Sequence, residues 1–282
     1  METIIGIDIG GSTTKIVGLT IDGDVIGNLQ VTAADPVTSV YGALGKFLQQ
    51  NNITLNEIKQ IILTGVGASF FNDDIYGVPT KTVDEFQAIG LGGLHLSVKK
   101  EALIVSMGTG TAYVRADGNN ITHIGGSGVG GGTLVGLCGK LVNAHQFSTI
   151  IEKANGGDLS TIDLVISDIS KNVITTLPPN TTASNFGKMS DTATDADITL
   201  GVINMVFQTI GMLAVFACKN DSIKDIILTG MLSTLPQAEP VFDGLNQLYG
   251  YNFIIPENAI FATATGAALS YFKSRRPEPD KV

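Results

Sequence analysis

Two glycine-containing turns, each leading from one apolar segment into hydroxyl side chains, are the parts of this 282-residue chain whose residue types and spacing suggest chemistry. The first turn lies in I-I-G-I-D-I-G-G-S-T-T-K-I-V-G, and its polar and glycine positions are Asp8, Gly10, Gly11, Ser12, Thr13, Thr14 and Lys15. Glycines let the backbone approach an anion closely, while hydroxyls and a lysine add donors and charge. The stretch predicts a phosphate-binding hairpin, with a plain β-hairpin as the alternative.

The second turn repeats this design in the middle of the chain. The sequence A-L-I-V-S-M-G-T-G-T-A-Y-V has its turn at Gly108, Thr109, Gly110 and Thr111. A shorter echo, I-I-L-T-G, occurs at residues 61–65 and again at residues 226–230. Repeats in corresponding positions indicate a duplicated fold. We therefore expect two sheets whose turns hold one polyphosphate between them.

A glycine-rich run precedes a helical pattern in the second half. The run G-G-S-G-V-G-G-G-T at residues 125–133 has six glycines in nine residues. Such a run is costly to order unless its backbone must lie close to something. We expect a loop that leads into a helix N-terminus and presents amides to phosphates or a nucleotide. A hinge or linker is the alternative, although the helical sequence that follows argues against it.

Two adjacent carboxylates, Asp84 and Glu85, mark the start of another predicted helix. Thr82 is the expected cap of a helix that begins near Val83, which puts both acids in its first turn, where the helix dipole favours negative charge. One interpretation is that both are simply solvated. The other is that one of them acts as general base for a hydroxyl substrate.

The predicted elements that must position these residues alternate between strand and helix. Strands are predicted at 3–10, 16–20 and 25–32, followed by a helix at 37–50 and a buried strand at 58–64. This order matches the half-domain of actin-like proteins and sugar kinases, by analogy of fold alone. Helices are also predicted at 147–154, 196–219 and 263–272. The long apolar helix at 196–219 is interpreted as a buried central helix or a dimer seam.

Composition narrows the function classes. Hydrophobic residues make up 44% of the chain and charged residues 15%, which is enough apolar material for two cores. The net charge of −9 argues against binding to nucleic acid or to an anionic membrane. Cys138 and Cys218 are isolated, so neither a disulfide framework nor a Cys-x-x-Cys metal pair is expected. With no predicted leader or membrane span, we expect a cytoplasmic protein.

Taken together, the motifs resemble those of a known superfamily. D-I-G-G-S-T-T-K, V-S-M-G-T-G-T, G-V-G-G-G-T-L and L-T-G-M are similar to the acetate and sugar kinase, heat-shock ATPase and actin superfamily. Within it, T-V-D-E-F-Q-A, the G-T-G-T turn, the GGG loop and T-A-S-N-F-G resemble the type II pantothenate kinases over nearly the whole chain to about Phe272. The resemblance implies an α/β fold of two ribonuclease H-like (actin-like ATPase) domains, at 1–100 and 101–272, with a nucleotide cleft between them. The charged, proline-containing segment at 273–282 is expected to be a disordered tail.

The resemblance also implies an activity and its catalytic groups. The expected reaction is phosphorylation of pantothenate at its 4′-hydroxyl by ATP and Mg²⁺, the first step of coenzyme A biosynthesis, in a cytoplasmic homodimer. Glu85 matches the family's catalytic base, with Asp84 as the rival one residue away. Asp8 is the expected Mg²⁺ ligand.

The remaining site residues are also implied by the resemblance. Residues 10–15 and 108–111 are expected to contact the ATP phosphates, and Phe147 stands where the bacterial family has an aromatic residue near the adenosine. The acceptor is expected to contact Thr109 and His123, and His123 stands where the family usually has an arginine that contacts pantothenate. The residues expected around the nucleotide are Gly130, Gly131, Gly132, Thr133, Leu134, Gly230 and Met231.

Other function classes remain open from the sequence. One is a kinase for a different small hydroxyl substrate, such as an N-acetylhexosamine. Another is an ATP-driven activator of an acyl-CoA dehydratase or reductase, whose relatives hold an iron-sulfur cluster with two cysteines per subunit. The surroundings of Cys138 and Cys218 instead favour buried, inert thiols. A non-catalytic nucleotide-dependent binding protein is the third class, and it leaves Glu85 without a role.

Overall fold

The computed structural model of the chain describes residues 2–32, 35–118, 120–172 and 178–273, so the prediction for the tail lies almost wholly outside the described residues. The strands are β1 Thr3–Ile9, β2 Thr13–Thr20, β3 Val25–Thr32, β4 Ile58–Thr64, β5 Thr80–Thr82, β6 Ala102–Met107, β7 Thr111–Ala116, β8 Ile121–Ser127, β9 Leu164–Val165, β10 Thr182–Ser184, β11 Asp225–Thr229 and β12 Asn252–Ile254. The helices are α1 Pro36–Asn51, α2 Glu85–Ser97, α3 Gly131–Val142, α4 Phe147–Ala154, α5 Ile166–Ile169, α6 Asp195–Cys218, α7 Ala238–Tyr249 and α8 Ala262–Lys273.

The first sheet is built around β1, whose seven residues are all buried. Its strand order is β3-β2-β1-β4-β5, with β1, β2 and β3 antiparallel and β4 and β5 parallel to their neighbours. Asp8 lies opposite Lys15 on β2 and level with Thr64 on β4, and Lys15 lies opposite Gln30 on β3. Paired residues on neighbouring strands share a face of the sheet. This register therefore forms a polar row of four side chains near the end of the sheet.

The second sheet has the same plan as the first. Its order, β8-β7-β6-β11-β12, again joins two antiparallel neighbours on one side of a central strand to two parallel neighbours on the other. The two copies of I-I-L-T-G end on the equivalent strands β4 and β11. The predicted duplication is thus present in the topology.

Each sheet has helices on both faces. The outer face of the first sheet packs on α1 through a core that includes Phe47, and the outer face of the second packs on α3, α4, α6 and α7. Helix α6 is by length and mean hydropathy, 1.9, apolar enough to cross a membrane, but more than half of it is buried. In this fold it is a core helix, as one of the two sequence interpretations expected.

The inner helices α2 and α8 are exchanged between the halves. Helix α2 precedes the second sheet and packs on its inner face, whereas α8, at the end of the chain, packs on the first sheet. The two helices cross at glycines: a Cβ on Gly92 would lie 1.7 Å from the Ala262 carbonyl oxygen, and one on Gly266 would lie 1.8 Å from that of Ala88. Only glycine permits this separation. The domain boundary at residues 100 and 101 stays a prediction.

The start of α2 differs from the sequence prediction. Thr82 is the last residue of β5 rather than a helix cap. The cap is Asp84, whose side chain accepts a hydrogen bond from the Gln87 amide at 3.0 Å, and Glu85 is the first helical residue. The prediction of Thr82 was wrong because the short strand, which a three-residue pattern cannot reveal, extends the chain through this position.

Candidate active site

The polar row on the first sheet is centred on an ion pair. Lys15 Nζ lies 3.6 Å from Asp8 Oδ2 and donates a hydrogen bond to Thr13 Oγ1 at 3.1 Å, and both charged side chains are almost fully buried. Burial raises the pKa of the Asp8 carboxyl, and the Lys15 charge opposes that rise. The pair places one positive and one negative group directly behind the first glycine turn.

Not every hydroxyl of the first turn faces the same way. Gly10 closes the turn through a 3.0 Å bond from its amide to the Thr13 carbonyl, and Gly11 and Ser12 are exposed. Thr14 is buried on the opposite face, where its hydroxyl accepts a 2.7 Å hydrogen bond from Ser39 of α1. The Thr14 side chain therefore fixes the outer helix to the sheet and lies away from the Asp8–Lys15 pair.

The two predicted turns face each other. A Cβ on Gly11 would lie 3.9 Å from Oγ1 of Thr109, which is exposed at the tip of the second turn. Thr111 is buried and donates to the Val129 carbonyl at 2.8 Å. The hydroxyl at the tip of the second turn thus points into the space between the lobes, while that of Thr111 anchors the glycine-rich loop.

The glycine-rich loop leads into α3, as expected, but its amides have protein partners. The Gly131 and Gly132 amides donate to the carbonyls of Gly108 and Thr109 at 2.9 and 2.8 Å. A Cβ on Gly130 would lie 2.7 Å from the Thr109 carbonyl oxygen, so the loop needs glycine to reach the second turn. The glycine-rich run therefore fixes the N-terminus of α3 to the second turn.

Residues after this loop divide between site and core. Thr133 donates to the Gly128 carbonyl at 2.9 Å and so braces the loop. Leu134 is buried in the core of the second lobe, where its side chain cannot reach the cleft. Phe147 is half-buried at the start of α4, with its Cζ 3.2 Å from a Cβ placed on Gly131. Phe147 is therefore close to the N-terminus of α3, whereas Leu134 is not part of the cleft surface.

The turn at Gly230 lies where the second lobe comes close to the first. Gly230 has φ of +88°, a conformation that favours glycine, and its amide donates to the Ala259 carbonyl at 3.1 Å. The next residue, Met231, lies across from Gln30, with 4.0 Å between Gln30 Nε2 and the sulfur. Met231 is thus at the boundary between the lobes. Gln30 was missed by the sequence interpretation, because only its register with Lys15 reveals its position.

Glu85 lies at the N-terminus of α2, near the ion pair. Burial raises the pKa of the Glu85 carboxyl, with further contributions from the negative charges of Asp8 and Asp84, while Lys15 opposes the rise. Asp84 is exposed and serves as the helix cap. The structure therefore separates the two acids: one is structural, and the other is a partly buried carboxylate with raised basicity in the cleft.

His123 on β8 is placed next to this helix terminus. Its ring stacks on Phe86, with 3.8 Å between ring centroids and 8° between planes. Gln87 Nε2 donates to the Ile121 carbonyl at 3.3 Å and further fixes α2 to β8. Phe86 could have been found from its place beside Glu85 in the sequence, but the stack depends on contacts between distant residues. The arrangement brings an imidazole to the side of the cleft that holds Glu85.

Two other features lie away from this site. A cavity of about 390 Å³ opens between α7 and β12, and its lining includes Leu235, Asp243 and Ile255 but none of the predicted site residues. Cys138 and Cys218 are both buried in the core of the second lobe, and burial raises the pKa of each thiol to about 11. We therefore expect both thiols to be unreactive in the folded protein.

The fold defines the class of protein. An activator of 2-hydroxyisocaproyl-CoA dehydratase from Clostridium difficile, solved with bound ADPNP, aligns with a TM-score of 0.70 at 18% identity, covering 96% of this chain and 95% of its own. A ROK family glucokinase from Streptomyces griseus, in complex with glucose and AMPPNP, aligns at 0.63 with 11% identity, covering 94% and 98%. The chain has the two-domain, ribonuclease H-like fold of actin-like ATPases and ROK family kinases.

Sequence comparison is more specific. The chain belongs to the Fumble family, whose model matches residues 97–238. A type II pantothenate kinase of Staphylococcus epidermidis is 28% identical over 93% of this chain and 98% of its own. One from Bacillus cereus is 28% identical over 82% and 84%. The family resemblance in the motifs is thereby confirmed.

Proposed function

We propose that this protein is a pantothenate kinase, which transfers the γ-phosphoryl group of ATP to the 4′-hydroxyl of pantothenate in the first step of coenzyme A biosynthesis. The observation that carries the proposal is the position of Glu85 at the start of α2, within electrostatic reach of the Asp8–Lys15 pair between two facing glycine turns. Relatives named type II pantothenate kinase, similar over most of their length, support pantothenate as the acceptor.

We assign the base role to Glu85. A carboxylate with a raised pKa is a stronger base at neutral pH, and it can accept the proton of the attacking hydroxyl as the phosphoryl group moves. Asp84 is less suited because its side chain already caps α2. Lys15, held beside the first turn, supplies positive charge for the transferring phosphoryl group, for which positioning and charge neutralisation are the main sources of catalysis.

The residues present fit a divalent cation next to Asp8. Mg²⁺ in phosphoryl-transfer sites is held by one or two carboxylates, substrate phosphates and several waters. Asp8 is a buried carboxylate at the end of β1, and the neighbouring Thr64 hydroxyl is buried without a hydrogen-bond partner among the described residues. Asp8 would hold Mg²⁺, which when bound neutralises charge on the β- and γ-phosphates.

In this proposal, residues of both lobes make the remaining contacts with ATP and the acceptor. The first turn, with Gly10, Gly11, Ser12 and Thr13, and the tip of the second turn hold the phosphates. The nucleoside lies near Phe147 and the turn that contains Gly230 and Met231. On the acceptor side, the Thr109 hydroxyl and the His123 ring, held on Phe86, face the substrate. A neutral or singly charged imidazole is a weaker carboxylate partner than a guanidinium.

No observation favours the alternative functions over this one. The dehydratase activators share the fold at low identity, and both cysteines of this chain lie in the core, where an intersubunit cluster could not reach them. The ROK family neighbours likewise indicate fold alone. The two alternatives, an acyl-CoA dehydratase activator and an N-acetylhexosamine kinase, are therefore tested by the acceptor experiment described below.

We further propose a cytoplasmic homodimer. Leu213 and Phe216 are exposed on α6, and Leu141 is exposed on the neighbouring α3. An exposed apolar surface on packed helices suits an interface between two copies of the chain.

The acceptor experiment measures ADP release with purified protein, ATP and Mg²⁺ across pantothenate, pantetheine, N-acetylhexosamines and simple hydroxy acids. We expect turnover with pantothenate, and turnover with pantetheine reports how far the site needs the carboxylate. The proposed function would be overturned if a hexosamine alone gave turnover, or if none of these alcohols did.

A further inference from the structure

Thr64, the last residue of β4, has a polar side chain with no partner in the described part of the protein. It is 0% exposed, and its hydroxyl makes no hydrogen bond within that part of the chain. A buried hydroxyl without a partner destabilises the folded protein, because its hydrogen bonds to water are lost and not replaced. A group left in this state at a functional site is expected to find its partner in a ligand.

The internal repeat supplies a direct comparison. Thr64 and Thr229 occupy the same position in the two copies of I-I-L-T-G, at the ends of β4 and β11. Thr229 is also buried, but its hydroxyl donates to the Val105 carbonyl at 3.4 Å. The two threonines therefore share fold position and burial and differ in hydrogen bonding. The threonine without a hydrogen bond, Thr64, is the one that lies beside a carboxylate.

The immediate neighbour of Thr64 is Asp8. The two residues are in register on parallel strands. The backbone just after Thr64 is also drawn against this carboxylate: Gly65 has φ of +85°, and a Cβ there would lie 2.8 Å from Asp8 Oδ1. Lys15 is on the other neighbouring strand and bonds to Thr13, so it is not the partner of Thr64. Asp8 thus has a lysine on one side and an unpaired hydroxyl on the other.

The chemistry of the proposed cation accounts for this asymmetry. Mg²⁺ loses its waters reluctantly, and its water ligands are strong hydrogen-bond donors that need acceptors around the carboxylate that holds the ion. A hydroxyl oxygen can accept one such bond. We propose that Thr64 is a positioning residue for the cation, holding a water of the Mg²⁺ hydration shell next to Asp8. This inference rests on the proposed kinase function.

The test compares metal dependence in matched variants. Thr64→Val removes the hydroxyl at nearly constant volume, Thr64→Ser keeps it, and Thr229→Val makes the same change in the other copy. Binding of ADP is measured by calorimetry as Mg²⁺ is titrated, and again in EDTA, with no acceptor present. We expect Thr64→Val to raise the half-saturating Mg²⁺ concentration about tenfold without changing ADP affinity in EDTA. Thr64→Ser and Thr229→Val should stay within about twofold of the unmodified protein.

Several results would overturn the inference. One is an unchanged Mg²⁺ requirement in Thr64→Val, and another is an equal loss of ADP affinity with and without Mg²⁺, which would mean that the hydroxyl contacts the nucleotide itself. A third is Mg²⁺-independent ADP binding by the unmodified protein. Mg²⁺-dependent ADP binding without any turnover of pantothenate would instead reject the proposed substrate and leave the role of Thr64 standing.

Thermal unfolding adds a readout that does not depend on activity. Because Thr64→Val replaces an unpaired buried hydroxyl by a methyl group, the metal-free variant should have a Tm equal to or above that of the unmodified protein. A lower Tm would mean that the hydroxyl has a structural partner, contrary to the inference. The same measurement shows that the variant is folded.

Discussion

Helix α2, which carries Glu85, is held against α8 by a contact that only glycine allows, and this makes Gly266→Ala an informative perturbation. The added Cβ would lie 1.8 Å from the Ala88 carbonyl oxygen and 2.7 Å from the Gly92 amide nitrogen. Both are backbone atoms of α2, so no side chain can move aside. The helices must separate, and α2 must shift relative to the first sheet.

The expected magnitude combines two opposing effects. Overpacking a buried contact costs about 1–3 kcal/mol, and a clash with backbone belongs at or above the upper end. Replacing glycine by alanine within a helix returns about 1 kcal/mol. The net loss in free energy of unfolding is about 2 kcal/mol or more, and at about 2–4 °C per kcal/mol Tm should fall by roughly 4–8 °C.

Gly42→Ala is the matched control. Gly42 lies in α1, and a Cβ there would meet nothing within 4 Å. This variant keeps the gain in helix propensity without the clash, so its Tm should rise by about 2–4 °C. Calorimetry measures both variants, and kcat is measured with ATP and pantothenate. Gly266→Ala should also lower kcat because α2 positions Glu85, whereas Gly42→Ala should not. A Gly266→Ala protein as stable and active as the unmodified chain would refute the close crossing of α2 and α8.

Three further predictions concern buried ionisable groups. Asp163 is 1% exposed and accepts hydrogen bonds from Asn185, Asn204 and the Phe186 amide. Asp163→Ala should therefore lower the free energy of unfolding, measured in urea, by about 3 kcal/mol. A loss of less than about 1 kcal/mol would contradict this hydrogen-bond network. Since burial raises the thiol pKa of both cysteines to about 11, a disulfide reagent at pH 8 should modify them only after unfolding, and rapid reaction of the native protein would argue against their burial. Because folding raises the pKa of Glu85, its ionised form destabilises the protein, so Glu85→Gln should raise Tm at neutral pH. This gain in Tm should disappear below pH 4.5, the ordinary pKa of a glutamate, where the carboxyl is protonated in both the folded and the unfolded protein. A difference in Tm that does not depend on pH would contradict this.

Local patterns in the sequence were sufficient to predict most of the elements. The strands around both glycine turns, the helices α1, α4 and α6, and the repeat in β4 and β11 lie within a few residues of their predicted places. The reason is physical: mostly apolar strands bounded by glycine turns leave little choice of conformation. The same patterns could not indicate that α2 and α8 change places between the sheets, because that depends on contacts between Gly92 and Gly266 across the whole chain.

Side-chain direction limited the prediction of the site. The turn sequences identify Asp8 and Lys15 as candidate site residues, but nothing local indicates that Thr14 points to Ser39 or that Leu134 belongs to the core. Conversely, Thr64 carries no signal of its own. Its position matters only because β4 lies in register with β1, and this register becomes visible with the folded sheet.

The most direct test of the central claim is the pantothenate-dependent release of ADP by Glu85→Gln beside Asp84→Asn. Removing a general base is expected to lower kcat by about 10²–10⁴-fold. We predict this loss for Glu85→Gln, with ATP affinity unchanged, and a much smaller effect for Asp84→Asn, because an asparagine can still cap α2. Retained turnover in Glu85→Gln, or an inactive Asp84→Asn that binds ATP and remains folded, would contradict the proposed mechanism.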